Sequence, residues 1–85
     1  MPSLQYVIDS ICSKLTVESM YTLIKDRLTR GSFKMNEIIP LVQSKDRSLD
    51  YDSARMLADA AFEALAQRDD IRIDGDSVHP SQKAR

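Results

Sequence analysis

The side chains that could do chemistry in this chain are few and scattered. His79 is the only histidine and Cys12 the only cysteine, so a zinc centre lacks the second such ligand on which three- and four-ligand sites are built. Beside Pro80, His79 reads as a solvated strand residue lying across from Arg72. Cys12 has no partner for an internal disulfide, which fits a reducing compartment, and its spacing marks it as a small buried helix residue. Asp46, Asp50 and Asp52 resemble a fragment of a calcium loop, but the glycine at the sixth position and the closing glutamate are missing. Gly31 and Gly75 each stand alone, which excludes glycine-rich phosphate cradles. Serines are plentiful, yet none is spaced to pair with a base and an oxyanion hole. The expectation is a non-enzymatic chain with no catalytic, cofactor or metal site, so its function must lie in its surfaces.

Those surfaces depend on the helices that carry them. Leu4, Val7, Ile8, Ile11 and Leu15 fall on one stripe of a first helix over residues 3–15. Thr16 is a suitable N-cap for a second helix, Val17 to Arg30, with Glu18 in its first turn and Gly31 as its stop. Its apolar face is Val17, Met20, Tyr21, Ile24 and Leu28, with Leu23 off the stripe. Ser32 to Val42 reads as a shorter third helix, which tolerates Pro40 only if it begins near Asn36. Gln43 to Leu49 is polar and reads as a loop. Asp50 then caps a long fourth helix over residues 50–68, with Leu49 and Ala54 spaced as a hydrophobic staple.

In the fourth helix Tyr51, Ala54, Ala58, Ala61, Phe62 and Leu65 form one apolar face, widened by Leu57 and Ala64. Asp52, Asp59 and Glu63 fall within a narrow wedge on the far side, with Met56 among them and Arg55 at its edge. Beyond Asp69-Asp70, Ile71 and Ile73 alternate with Arg72, and a turn at Asp74-Gly75-Asp76-Ser77 brings Val78 opposite Ile73. So short a hairpin needs Ile71, Ile73 and Val78 packed on the helices. The reading is one mostly α domain over residues 1–80 with a small C-terminal β-hairpin, then a loose basic tail over 81–85. No apolar run approaches the roughly 18 residues of a membrane span, and no secretory signal is visible, so the expected location is cytoplasmic.

Residues 17–80 resemble a winged helix-turn-helix fold, with the second helix as its first, the third and fourth as the turn pair, and the hairpin as the wing. The segment Ala64-Leu65-Ala66-Gln67-Arg68-Asp69-Asp70-Ile71-Arg72-Ile73 is similar to the helix-to-wing junction of such proteins. The resemblance implies a binding module whose last helix enters the DNA major groove while the wing reaches the backbone. Carried onto this chain, the groove positions are Asp52, Ser53, Arg55, Met56 and Asp59, and the phosphate contacts are Lys45, Arg47, Arg72 and Lys83. The added first helix suits a role in dimerisation, since a domain of 85 residues has a thin stability margin on its own.

Charge weighs against DNA. The net charge is −1; residues 1–47 carry seven basic and five acidic side chains, and residues 48–85 five and eight, so the half with the groove-facing helix is the acidic one. Asp52, Asp59 and Glu63 oppose phosphates about as strongly as the loop and wing cations attract them. The same face suits a protein: Met56 is an adaptable apolar contact, and Asp52, Arg55, Asp59 and Glu63 make a mostly acidic rim for a basic partner. A protein-binding regulatory or adaptor role is therefore expected, with a DNA-binding transcriptional regulator as the alternative through Lys45, Arg47, Ser53, Arg55, Arg72 and Lys83. Lys25, Arg27, Arg30 and Lys34 form a second, basic cluster. Tyr6, Leu23 and Leu57 lie outside the main stripes and are candidate homodimer contacts, with Ser53, Ala60 and Ala64 offering close helix approach.

Overall fold

The longest helix, α4 (Tyr51–Gln67), organises the molecule because its apolar residues recur three and four apart along one side. Ala54, Leu57, Ala58, Ala61, Phe62 and Leu65 are all buried. In this computed structural model, which describes residues 3–81, α4 is contacted by α1 (Leu4–Ser10), α2 (Val17–Leu28), α3 (Ile38–Lys45) and strand β2 (Ile71–Asp74). Strands β1 (Phe33–Lys34) and β3 (Ser77–Pro80) complete an antiparallel sheet of order β1-β3-β2. The core gathers Leu4, Val7 and Ile8 from α1, Met20 and Ile24 from α2, and Ile38, Ile39 and Val42 from α3. The domain is thus mostly α with a small C-terminal hairpin.

Two caps behave as their sequences predict. Thr16 accepts the amide of Ser19 and Ser19 returns a bond to the Thr16 amide, closing a capping box. Asp50 accepts from the Ser53 amide, and that amide holds its carboxyl below the usual carboxylate range.

Helix ends were harder to foresee. Instead of reaching residue 15, α1 stops at Ser10: Cys12 turns left-handed (φ 55), its amide bonds Asp9 O, and the Ser13 amide bonds Ile8 O. This is the Schellman arrangement, normally built on glycine. Cys12 is consequently exposed, not buried in a helix, while Ile11 and Leu15 pack only partly against the core. The end of α4 repeats the device, with Asp69 at φ 64 and amides of Asp69 and Asp70 bonding Ala66 O and Leu65 O. Thr29 and Gly31, the latter at φ 110, end α2 two residues before the expected Arg30.

The segment expected to open the third helix begins instead as β1. Phe33 pairs with Val78 and Lys34 with Ser77, and the Met35 amide bonds Asp76 O. A 3₁₀ turn, Met35–Glu37, then leads into α3, leaving Pro40 in the first turn where its missing amide is harmless. Pairing wins over helix here because Phe33 buries its ring against Phe62, centroids 6.1 Å apart, under the Arg27 guanidinium at 5.0 Å. Arg27 also bonds Glu37 at 3.1 Å. Glu37 has its carboxyl lowered, first by the Lys34 amide and then by Arg27. The hairpin register matches expectation, with Ile73 opposite Val78, Arg72 opposite His79, and Ile71 opposite Pro80. Gly75 (φ 63) opens its two-residue turn.

Between α3 and α4 lies a carboxylate that the sequence presents as part of a polar loop. Asp46 is only 2% exposed. One oxygen accepts the Ser13 hydroxyl and the Lys14 amide, both at 3.0 Å; the other accepts the Ser48 amide at 3.2 Å and the Ser48 hydroxyl at 2.6 Å. With both oxygens occupied by donors, the charge is satisfied without a cation. The Ser48 hydroxyl, followed by the Lys14 amide, holds its carboxyl at about 2, against an ordinary 3.8.

Stability should therefore fall in acid in a defined way. A carboxyl whose folded pKa is depressed contributes fully above its unfolded pKa and loses that contribution as pH falls from 3.8 toward about 2. Asp46→Asn, which turns a donor toward donors, should lower the melting temperature by several degrees at pH 6. It should also flatten the decline between pH 4 and 2, both measurable by circular dichroism. Cys12→Gly should instead stabilise, by about 0.5–1 kcal/mol, by relieving the left-handed strain. An unchanged denaturant midpoint would contradict that assignment.

Candidate functional site

The exposed side of α4 is set in place by its buried side, so its residues have fixed positions relative to the sheet. Asp52, Arg55, Met56 and Asp59 are exposed and Glu63 is half-buried. Met56 is 50% exposed. Arg55 Nε lies 3.8 Å from Asp59 one turn on, and Glu63 accepts from Gln67 at 3.3 Å. The five residues expected to form a protein-binding face do share one surface.

That surface continues into a groove of about 270 Å³ between the start of α4, the 3₁₀ turn and the hairpin turn. Met35, Ile39, Ala58 and Tyr51 form its apolar part, and Asn36, Arg55, Asp59 and Asp76 its polar walls. Helical spacing places Tyr51 on the core face; instead it is 51% exposed, because it is the first residue of α4. The hairpin turn adds carboxylates, with Asp74 and Asp76 exposed. Lys34, on β1, lies 3.3 Å from Asp76. Around α4 and the turn stand Asp52, Asp59, Glu63, Asp74 and Asp76, with Arg55 and Lys34 each paired with one of them and Arg72 exposed on β2 beside Asp74.

The residues proposed for phosphate contact are spread over α3, the α3–α4 connection, α4 and β2. Lys45 and Arg47 are exposed on either side of the buried Asp46, Arg72 is exposed on β2, and Ser53 is half-buried. Lys83 lies outside the described residues, as does most of the proposed basic tail. In the second cluster most cations are engaged: Lys25 lies 3.6 Å from Asp70, Arg27 pairs with Glu37, and Lys34 with Asp76. Asp70 also meets Arg68 at 3.3 Å, tying α2 to the α4–β2 junction.

The dimer set requires correction. Leu57 is 0% exposed, inside the core, and cannot serve as a surface contact. Leu23 is half-buried against the core, and only Tyr6, 63% exposed, stands clear. On the small side of α4, Ala60 and Ala64 are half-buried and line an open groove with Ser3, Leu4 and Gln5 of the α1 region. The amphipathic stripe of α1 is not an open surface, since Leu4, Val7 and Ile8 are buried and α1 packs on α4.

His79 Nδ1 lies 2.6 Å from Ser32 Oγ, and both bridge β3 to the approach of β1. Among the described residues no group of three or more His, Cys, Asp or Glu stands close enough to hold a metal ion. Nor is any described helix long and apolar enough to cross a membrane. No family model matches the chain, and no curated protein or solved structure is significantly similar to it.

Surface and core roles separate cleanly in a stability measurement. Met56→Lys and Tyr51→Ser should each change the unfolding free energy by less than about 0.5 kcal/mol. Leu57→Asp buries an unpaired carboxylate and should leave the chain unfolded at 25 °C rather than merely monomeric. A folded, monomeric Leu57→Asp protein would reverse the placement of that side chain.

Proposed function

We propose that the chain is a non-enzymatic, cytoplasmic winged helix-turn-helix module that acts as a small regulatory or adaptor protein, binding a basic protein partner through the exposed face of α4. The order α2, β1, α3, α4, β2, β3 and the sheet order β1-β3-β2 support the fold family. Asp52, Arg55, Met56, Asp59 and Glu63 are the contact residues in this reading.

The observation that carries it is the sign of the charge beside α4. Helix and hairpin present five carboxylates against two paired cations, Arg55 and Lys34, and the exposed Arg72 where a duplex would have to approach. Phosphate binding draws its affinity from cations that displace counterions, and this face repels them. A basic protein meets the opposite situation, with Met56 supplying an adaptable apolar contact inside an acidic rim. The second reading, a DNA-binding regulator, rests on Lys45, Arg47 and Arg72 being exposed with no carboxylate at ion-pair distance among the described residues, and on Ser53 and Arg55 on α4.

Titration of labelled mixed-sequence duplex DNA, followed by anisotropy, discriminates the two. No binding at low salt is expected; a complex that forms there and weakens by orders of magnitude near about 200 mM salt would favour DNA. Asp52→Ala with Asp59→Ala should strengthen any DNA complex and weaken capture of a basic protein.

A further inference from the structure

We infer that the groove between α4 and the hairpin turn seats one apolar side chain of a partner segment, and that cations flanking this side chain exchange with Arg55 and Lys34 for Asp59 and Asp76. This rests on the protein-binding reading of α4 and names where on that helix the partner docks and what chemistry it brings.

Size comes first. At about 270 Å³ the groove falls below the roughly 300–1,000 Å³ of small-molecule sites, so it suits an anchoring side chain better than a free metabolite. Met35 and Ile39 meet Ala58 and the half-exposed Tyr51 there. An alanine at position 58 leaves room that a larger side chain would fill. The flexible thioether of Met35 lets the pocket adjust to an aliphatic or aromatic anchor.

Charge supplies the selection. The carboxylates of Asp59 and Asp76 stand on the groove's walls, and each is held in a solvent-exposed ion pair. Arg55–Asp59 spans 3.8 Å with both side chains more than half exposed, at 63% and 57%. Lys34–Asp76 spans 3.3 Å at 59% and 77%. Exposed pairs of this kind contribute little to stability, so a partner's ammonium or guanidinium can replace the internal cation at little cost to the fold. Asp52 and Asp74, exposed with no cation at ion-pair distance among the described residues, keep the surroundings negative when all four charges of the two pairs are counted as cancelled. An anionic segment would meet these carboxylates directly, whereas a segment with lysine or arginine beside a leucine complements floor and walls together.

The test uses the full chain, labelled with ¹⁵N, and two short peptides: one combining leucine with lysine, the other leucine with glutamate. The lysine peptide should shift the amides of Met35, Asn36, Ile39, Ala58 and Asp76, and bind at least tenfold more weakly to Asp59→Asn/Asp76→Asn. Glu18→Gln, at an exposed carboxylate on α2 that does not line the groove, should bind unchanged. Both replaced carboxylates are exposed, so dispersed spectra are expected of the double variant, and Asp76→Asn alone serves should it fail to fold. Equal response to the glutamate peptide would overturn the inference. Shifts confined to Met56, Glu63 and Gln67 would also overturn it while leaving α4 as the protein-binding helix. Shifts away from α4 altogether, with duplex DNA perturbing α4 instead, would remove both readings.

Discussion

A buried carboxylate joins the two halves of the chain. Asp46 takes four hydrogen bonds, from Ser13, Lys14 and Ser48, and so pins the connection between α1 and α2 to the turn between α3 and α4. Without it, the Ser13 hydroxyl and the Lys14 amide would lose the acceptor that they share. The turn that it braces immediately precedes Asp50, whose own cap sets the first residue of α4. Through that short path, a single side chain governs where the longest helix begins and which of its residues face outward.

The outward side then differs in chemistry from everything beneath it. Leu57, Ala58, Ala61 and Phe62 of α4 are buried, which leaves Met56, Asp59 and Tyr51 exposed on its other side. Arg27 performs a comparable office on the sheet side, lying over Phe33 while bonding Glu37, so that β1 and the 3₁₀ turn stay against α2. The groove exists because these two fixed bodies, α4 and the β1–turn unit, meet at an angle without filling the corner between them.

Periodicity made most of this architecture legible in the sequence. The stripe on α4, the Thr16 and Asp50 caps, and the hairpin register all follow from local spacing, since each depends on neighbours within a few residues. What could not be read depends on distant partners. Phe33 has good helical neighbours but a better partner in Val78, forty-five residues away. Cys12 and Asp69 end helices in a conformation whose usual marker, glycine, is absent at both positions. Asp46 looks like any solvated loop acid until Ser13 is brought beside it. Of the candidate surface, the α4 face itself was legible, while the groove was not, because Met35, Asn36 and Asp76 join it only through folding.

The last residue of β3 has a bearing on how the molecule behaves in crowded solution. Pro80 lies opposite Ile71, in the alternating pattern that directs its backbone nitrogen to the same side as that of Val78, toward β1. β1 is already finished at that height, so an ordinary residue there would hold an amide ready for an intruding chain. A proline has no hydrogen to give. The sheet is therefore sealed against growth on the one flank where its own strand falls short, and the charges of Arg72 and Asp74 guard the other, an economical defence against edge-to-edge aggregation.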